Sequence, residues 1–294
     1  MKRPSNMIRA QASSRREAFF FPNAEGANLF GIAHIPIKDN KKVGVILCSP
    51  FAEEKLNSHR VFYNFANLLA SRSFHALRFD YWGTGDSDGD FERATLTSRV
   101  QDIVSAYKLF KVRYCLDKII FVGLRLGANL ALKAASLTET SYCIAWAPVI
   151  DVYKYFFDLL RINLSTQTLQ FKKIVKKRED LIEDLKAGRF VNIDGYNLTW
   201  TLFEQAEEYS LTNILNVLND NKGFNLFLVD IVKNIKRSNR KLNQFAEQWL
   251  ETIASEIISL PPFWKGGIPQ YISCPESLFE YSFSWMTQKL NPVL

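Results

Sequence analysis

Apolar and polar positions alternate between two periods along most of this chain. Glu17 to Phe21 and Asn28 to Pro36 predict a strand pair, with a glycine-containing turn at Glu25-Gly26. Val43 to Ser49 (VGVILCS) is a short continuous apolar run, the pattern of a strand covered on both faces. Ser58 to Ser71 instead carries Val61, Phe62, Phe65, Leu68 and Leu69, a helical stripe. The same rhythm continues: a strand over Phe74 to Asp80, a helix over Leu96 to Val112, a strand over Lys118 to Gly123, a helix over Leu126 to Ala135 and a strand over Ser141 to Trp146. Strands alternating with helices predict a parallel sheet with helices on both faces, an α/β fold.

The rhythm changes between Pro148 and about Lys222, where long charged helical segments such as Leu169 to Leu185 are expected. It resumes with a strand over Phe224 to Ile231, a helix over Lys241 to Thr252, a strand over Ile253 to Leu260 and a closing helix over Glu276 to Lys289. The domain reading is therefore a sheet core over 17–149 and 223–294, interrupted by a helical insertion over 150–222. Tyr153, Tyr155, Phe156, Phe157, Leu159, Leu160 and Ile162 form a stripe on that insertion, suited to packing on the core or to roofing an apolar pocket as a cap.

Residues 1–16 carry five basic side chains, three serines and no acid, the composition of a disordered basic arm or of an organellar transit peptide; the arm is the favoured reading. No apolar run approaches the ~18 residues of a membrane helix. Four cysteines stand far apart with no C-x-x-C pair and no metal spacing, which suits a reducing, cytoplasmic setting and predicts neither metal nor cofactor. The charge balance is 37 − 30 = +7. Basic runs at Lys172 to Arg178 and Lys233 to Lys241 lack the aromatics interleaved along a groove that nucleic acids require, so a nucleic-acid partner is not expected. An anionic or acyl ligand, or an acidic partner such as an acyl carrier protein, suits the charge better. Oligomeric state is not legible.

The informative stretch is KIIFVGLRLGA, Lys118 to Ala128. An apolar strand runs through Gly123-Leu124-Arg125-Leu126-Gly127 into a helix, the context of the nucleophile elbow G-x-S-x-G. Gly123, Gly127 and Ala128 meet the demand for small residues where strand and helix crowd together, but the central position is Arg125. A guanidinium stays protonated and has no acceptor lone pair, so it cannot act as nucleophile. The helix N-terminus also disfavours a cation, so Arg125 calls for an anion: an internal carboxylate, a ligand, or escape to the surface. Gly85-Asp86-Ser87-Asp88-Gly89 matches the same pattern literally, yet it lies in a polar turn with no following helix. Its two carboxylates would oppose a developing oxyanion. Histidine supplies an independent test, because in this architecture the base follows nucleophile and acid along the chain. The three histidines are His34, His59 and His75, all before either candidate. The loop after the last strand reads Leu260-Pro261-Pro262-Phe263-Trp264-Lys265 instead.

Arg78 to Ser87 (RFDYWGTGDS) resembles the post-strand turn of serine aminopeptidase-like α/β hydrolases. Pro50-Phe51-Ala52-Glu53-Glu54, Gly123 to Ala128 and Pro262-Phe263-Trp264 resemble, more closely, the type-2 hydrolase-like proteins associated with bacterial exosortase A systems. The resemblance covers Asn28 to Pro148 well, the segments after Phe224 loosely, and the insertion mainly at Asn192 to Tyr196; the chain departs from the group at Lys55 to His59. It implies an α/β-hydrolase fold, arginine at the elbow, and genes nearby for surface polysaccharide and acyl activation.

In this fold the loop Cys48 to Glu54 would border the oxyanion site. Glu53 or Glu54 is expected to pair with Arg125 across the pocket floor, the alternative being solvated carboxylates at a helix start. Arg125, Leu126, Phe51 and Glu54 are the candidate ligand-binding residues, with Glu53 or Glu54 as acid–base if any chemistry remains. Cys48 fits a buried small hydrophobe better than a nucleophile. His34 and His75 fit packing or capping positions.

Overall fold

In the computed structural model the described residues are 14–37, 41–219, 223–237, 253–266 and 272–290, with 242, 244, 245 and 247. Eight strands form one sheet: β1 (Ser14–Pro22), β2 (Asn28–Pro36), β3 (Val43–Cys48), β4 (His75–Phe79), β5 (Lys118–Leu124), β6 (Tyr142–Trp146), β9 (Asn225–Val232) and β10 (Ile253–Ser259). Their spatial order is β1-β2-β4-β3-β5-β6-β9-β10. Only the β1–β2 and β2–β4 pairings are antiparallel. Every residue of β3 is buried, as its unbroken apolar run requires of a strand with helices on both sides.

Helices α1 (Glu53–Ser71) and α8 (Glu276–Leu290) cover one face. Phe65 and Phe279 meet there at Trp146, whose indole N–H donates to Ser282 at 3.0 Å. On the other face lie α2 (Leu96–Arg113), α3 (Leu126–Ala135) and the segment between β6 and β9. That segment holds α4 (Val152–Phe171), α5 (Arg178–Lys186), the hairpin β7 (Val191–Ile193) and β8 (Tyr196–Leu198), α6 (Trp200–Gln205) and α7 (Leu211–Asn219). It is tied to the core by Asn129, whose amide donates to Val149 and Tyr209 carbonyls at 2.7 and 2.9 Å.

Several boundaries differ from the sequence reading. Strand β1 begins at Ser14, so the last three residues of the expected arm pair with β2; residues 1–13 lie outside the described set. Helix α1 starts at Glu53, five residues before the Ser58 start expected from the apolar stripe. The expected helix over 169–185 is two helices, because Lys172 takes a left-handed conformation with φ 58° and ends α4. The insertion is not wholly helical, since Asp194 and Gly195 turn a hairpin with φ 49° and 90°. The helix expected over 241–252 falls mostly outside the described residues.

The turn after β4 rests on Asp102 of α2, which accepts the Trp82 N–H at 2.8 Å. Burial raises its carboxyl to about 6, above the usual Asp range. A folded pKa above the unfolded one means the native state binds the extra proton, so this group's contribution falls as pH rises from about 4 to 6. Asp102→Asn is expected to remove that part of the pH dependence, about 3 kcal/mol across the window, as read by urea unfolding at pH 4 and 7.

Candidate functional site

Neighbouring parallel strands β3 and β5 are in register with Cys48 beside Gly123. The chain leaving β3 turns to α1 on one face and the chain leaving β5 turns to α3 on the other. This divergence makes the carboxyl ends of β3 and β5 a topological switch point, the position at which α/β sheets place ligands. Both turns use nearly the same strained backbone: Ala52 at φ 50°, ψ −130° and Arg125 at φ 54°, ψ −128°. The elbow is thus formed, with arginine at its tip.

Close packing explains the flanking glycines. A Cβ on Gly123 would lie 2.4 Å from the Gly127 carbonyl, and one on Gly127 would lie 2.4 Å from the Cys48 and Ser49 carbonyls.

The guanidinium of Arg125 is held from four directions. Its Nε donates to Glu54 Oε1 at 3.3 Å and its Nη1 to the Ala147 carbonyl at 3.1 Å. The rings of Tyr155 and Trp264 lie 5.6 and 5.4 Å from its carbon. The second Glu54 oxygen accepts the Tyr155 hydroxyl at 2.9 Å. Burial raises the Glu54 carboxyl above the usual range, against the opposing pull of Arg125 and of the Tyr155 hydrogen bond. Burial and the neighbouring Glu54 charge likewise push the Tyr155 phenol well up.

Of the two glutamates, only Glu54 meets Arg125. Glu53 lies toward the β7–β8 hairpin, where burial and then Asp194 raise its carboxyl. Leu126 and Phe51 are buried in the core, the Phe51 ring against Phe91 and Phe156. Tyr155 was legible only as part of an apolar stripe. Its signal was the hydroxyl, which needs a partner when buried. Trp264 occupies the loop after the last strand, where a base would stand.

The other nucleophile candidates are committed elsewhere. The Ser87 hydroxyl donates to the Asp80 carbonyl at 2.6 Å and accepts the Phe30 N–H at 2.8 Å, a turn-holding role. Cys48 is buried beside the Tyr81 hydroxyl, and burial pushes its thiol pKa up. His34 is buried, bonded to Asn67 at 2.9 Å and accepting from Arg78 Nε at 3.1 Å; burial lowers its pKa to about 4. Among the described residues His59 has a hydrogen-bond contact only with Arg78, at 3.5 Å, and His75 packs against Tyr114 and Phe110. Among the described residues no imidazole hydrogen-bonds a serine, threonine or cysteine, and no group of three His, Cys, Asp or Glu side chains is placed to hold a metal ion.

A sheet of this order, an elbow between β5 and α3, and a segment inserted after β6 define the α/β-hydrolase fold. Solved hydrolases share it. Est1E from Butyrivibrio proteoclasticus, determined with ferulic acid, superposes with a TM-score of 0.62 at 15% identity, over 93% of this chain and 100% of that one. The α/β hydrolase GrgF from a Penicillium species gives 0.58 at 17% identity, over 94% and 97%. A putative hydrolase from Agrobacterium vitis gives 0.57 at 15%, over 93% and 98%. No family model matches the chain. In sequence it is similar to an uncharacterized 31.7 kDa protein of the traX-finO intergenic region of Escherichia coli, 32% identical over 82 residues, 27% of this chain. The chain spans only 29% of that relative's length.

Proposed function

We propose that this is a hydrolase-like protein without serine-hydrolase chemistry, serving as a cytoplasmic binding or accessory protein in a surface-polysaccharide or acyl-transfer pathway, as in the exosortase-associated group it resembles. The observation that carries the reading is the Arg125–Glu54 ion pair at the elbow, closed over by Tyr155 and Trp264. An elbow that presents a permanent cation, already paired with a carboxylate, has no group to lose a proton and attack. Arg125 Nη2 makes no hydrogen bond among the described residues, which leaves its two N–H groups for an anionic or acyl ligand. An acyl carrier protein, acidic against a net charge of +7, is the partner class that suits this ligand.

A fluorophosphonate probe is expected to leave the protein unlabelled. Arg125→Ser should also remain unlabelled, because Trp264 stands where the imidazole is needed. Stoichiometric labelling of the wild type would overturn the reading.

One observation favours a second reading, an enzyme with different chemistry: a buried carboxylate with a raised pKa is a usable acid–base. On that reading Glu54→Gln abolishes turnover of an anionic ester or thioester panel. A wild type that turns over none of the panel disposes of it.

A further inference from the structure

Helix α4 starts over the Arg125 site and ends at a tip on the protein surface. Ten consecutive residues there, Thr168 to Lys177, are exposed. They include four large apolar side chains: Leu169 is 74% exposed, Phe171 57%, Ile174 52% and Val175 58%. Isolated exposed apolar residues are ordinary, but four within seven positions of one projecting turn are a patch.

The turn is built to hold this shape. Gln167, buried beneath it, accepts the N–H groups of Val175 and Lys176, both at 2.8 Å, through its side-chain oxygen. Its amide nitrogen donates to the Lys176 carbonyl at 3.1 Å and to Asn163 at 2.8 Å. Lys172 supplies the left-handed residue that ends the helix. One buried side chain thus fixes the loop so that its apolar residues face outward.

Charge is patterned through the same residues. Lys172, Lys173, Lys176, Lys177 and Arg178 interleave with the apolar positions, and no acid occurs between Asp158 and Glu179. Lys176 pairs with Asp184 and Arg178 with Asp158. Lys172, Lys173 and Lys177 make no ion pair among the described residues.

We propose that this tip docks the protein on an anionic lipid surface, the apolar side chains entering the headgroup boundary while the lysines meet lipid phosphates. The shape favours a bilayer over a protein partner. A convex turn of ten residues is small beside the roughly 800 Å² per partner of a stable protein interface, whereas a bilayer accepts a wedge. The charge is complementary: each lysine at an anionic surface strengthens partitioning roughly fivefold, about a hundredfold for three.

The test is co-sedimentation of the full chain with phosphatidylcholine vesicles, with and without about a third phosphatidylglycerol, at low and high salt. Binding is expected only with the anionic lipid and should weaken with salt. Phe171→Ser with Ile174→Ser, which leaves all charge in place, should lose about tenfold. Lys172→Gln with Lys173→Gln and Lys177→Gln should lose about a hundredfold. All five positions are exposed, so the thermal midpoint should stay at the wild-type value, confirming that loss of binding is not unfolding. No sedimentation with either vesicle, equal binding to both, or a serine variant that binds like wild type would each overturn the proposal. So would a tip that ignores vesicles and needs its lysines only to bind an acidic protein.

Discussion

Glu54→Ala is expected to cost about 3 kcal/mol of stability at pH 7, and Arg125→Met less than half of that, although both remove the same ion pair. The asymmetry comes from what is left behind. Without Glu54, Arg125 keeps its charge in a site where its side chain is only 22% exposed, supported by one carbonyl and two ring faces. Arginine cannot shed its proton to relieve this. Without Arg125, the Glu54 carboxyl, already raised by burial, takes up a proton and keeps the Tyr155 hydroxyl as neighbour.

The two variants should also diverge with pH. A carboxyl whose folded pKa exceeds its unfolded value stabilises less as pH rises through that interval. Arg125→Met removes an interaction that lowers the Glu54 pKa, so its deficit should grow from pH 4 to pH 7 and be small at the acid end. Urea unfolding at both pH values, with the double variant to close the cycle, measures it. Equal losses for the two single variants at pH 7 would mean that the pair is too well hydrated to matter.

Gly127→Ala is expected to be more damaging still, at about 3 kcal/mol or more, with much of the protein failing to fold. The added carbon would press on two carbonyls of the β3 end, and β3 is fixed by β4 on one side and β5 on the other. Neither neighbour is the movable end of a side chain. Gly188→Ala provides the contrast, since its φ of 77° is unfavourable for alanine but nothing lies within 4 Å of the new carbon. It should cost about 1 kcal/mol. Denaturant midpoints for the two variants separate crowding from backbone strain; similar values would show that the elbow packs more loosely than the distances indicate.

How much could be anticipated from the sequence followed from which forces act locally. Strands β3, β5 and β6 are continuous apolar runs, and two-sided burial allows little else. Arg125 at the elbow and a carboxylate to meet it were both legible, because the strand–turn–helix context and the charge conflict are local facts. Which carboxylate was not: Glu53 and Glu54 are adjacent, and α1 begins at Glu53 only because Ala52 takes a left-handed turn there. The polar first turn EEKLN gives no stripe to announce it. The break after Phe171 depends on Gln167 reaching eight and nine residues ahead, which helix propensity cannot register among lysines that favour helix. The β7–β8 hairpin did leave a signal, since Asp-Gly is a strong two-residue turn. It was submerged in a region with helical periodicity on both sides. Tyr155 and Trp264 reach Arg125 from the insertion and from the last loop, and only the assembled fold brings them there.

The left-handed kink at position 125 persists with no nucleophile to present. It is therefore a requirement of architecture: the strand must reverse sharply for α3 to lie against β5, whatever side chain stands at the bend. A saturation library across this turn should accordingly be tolerant at the apex and barren at its two glycine shoulders, so that chemistry at the apex could be lost, or regained, without disturbing the scaffold beneath.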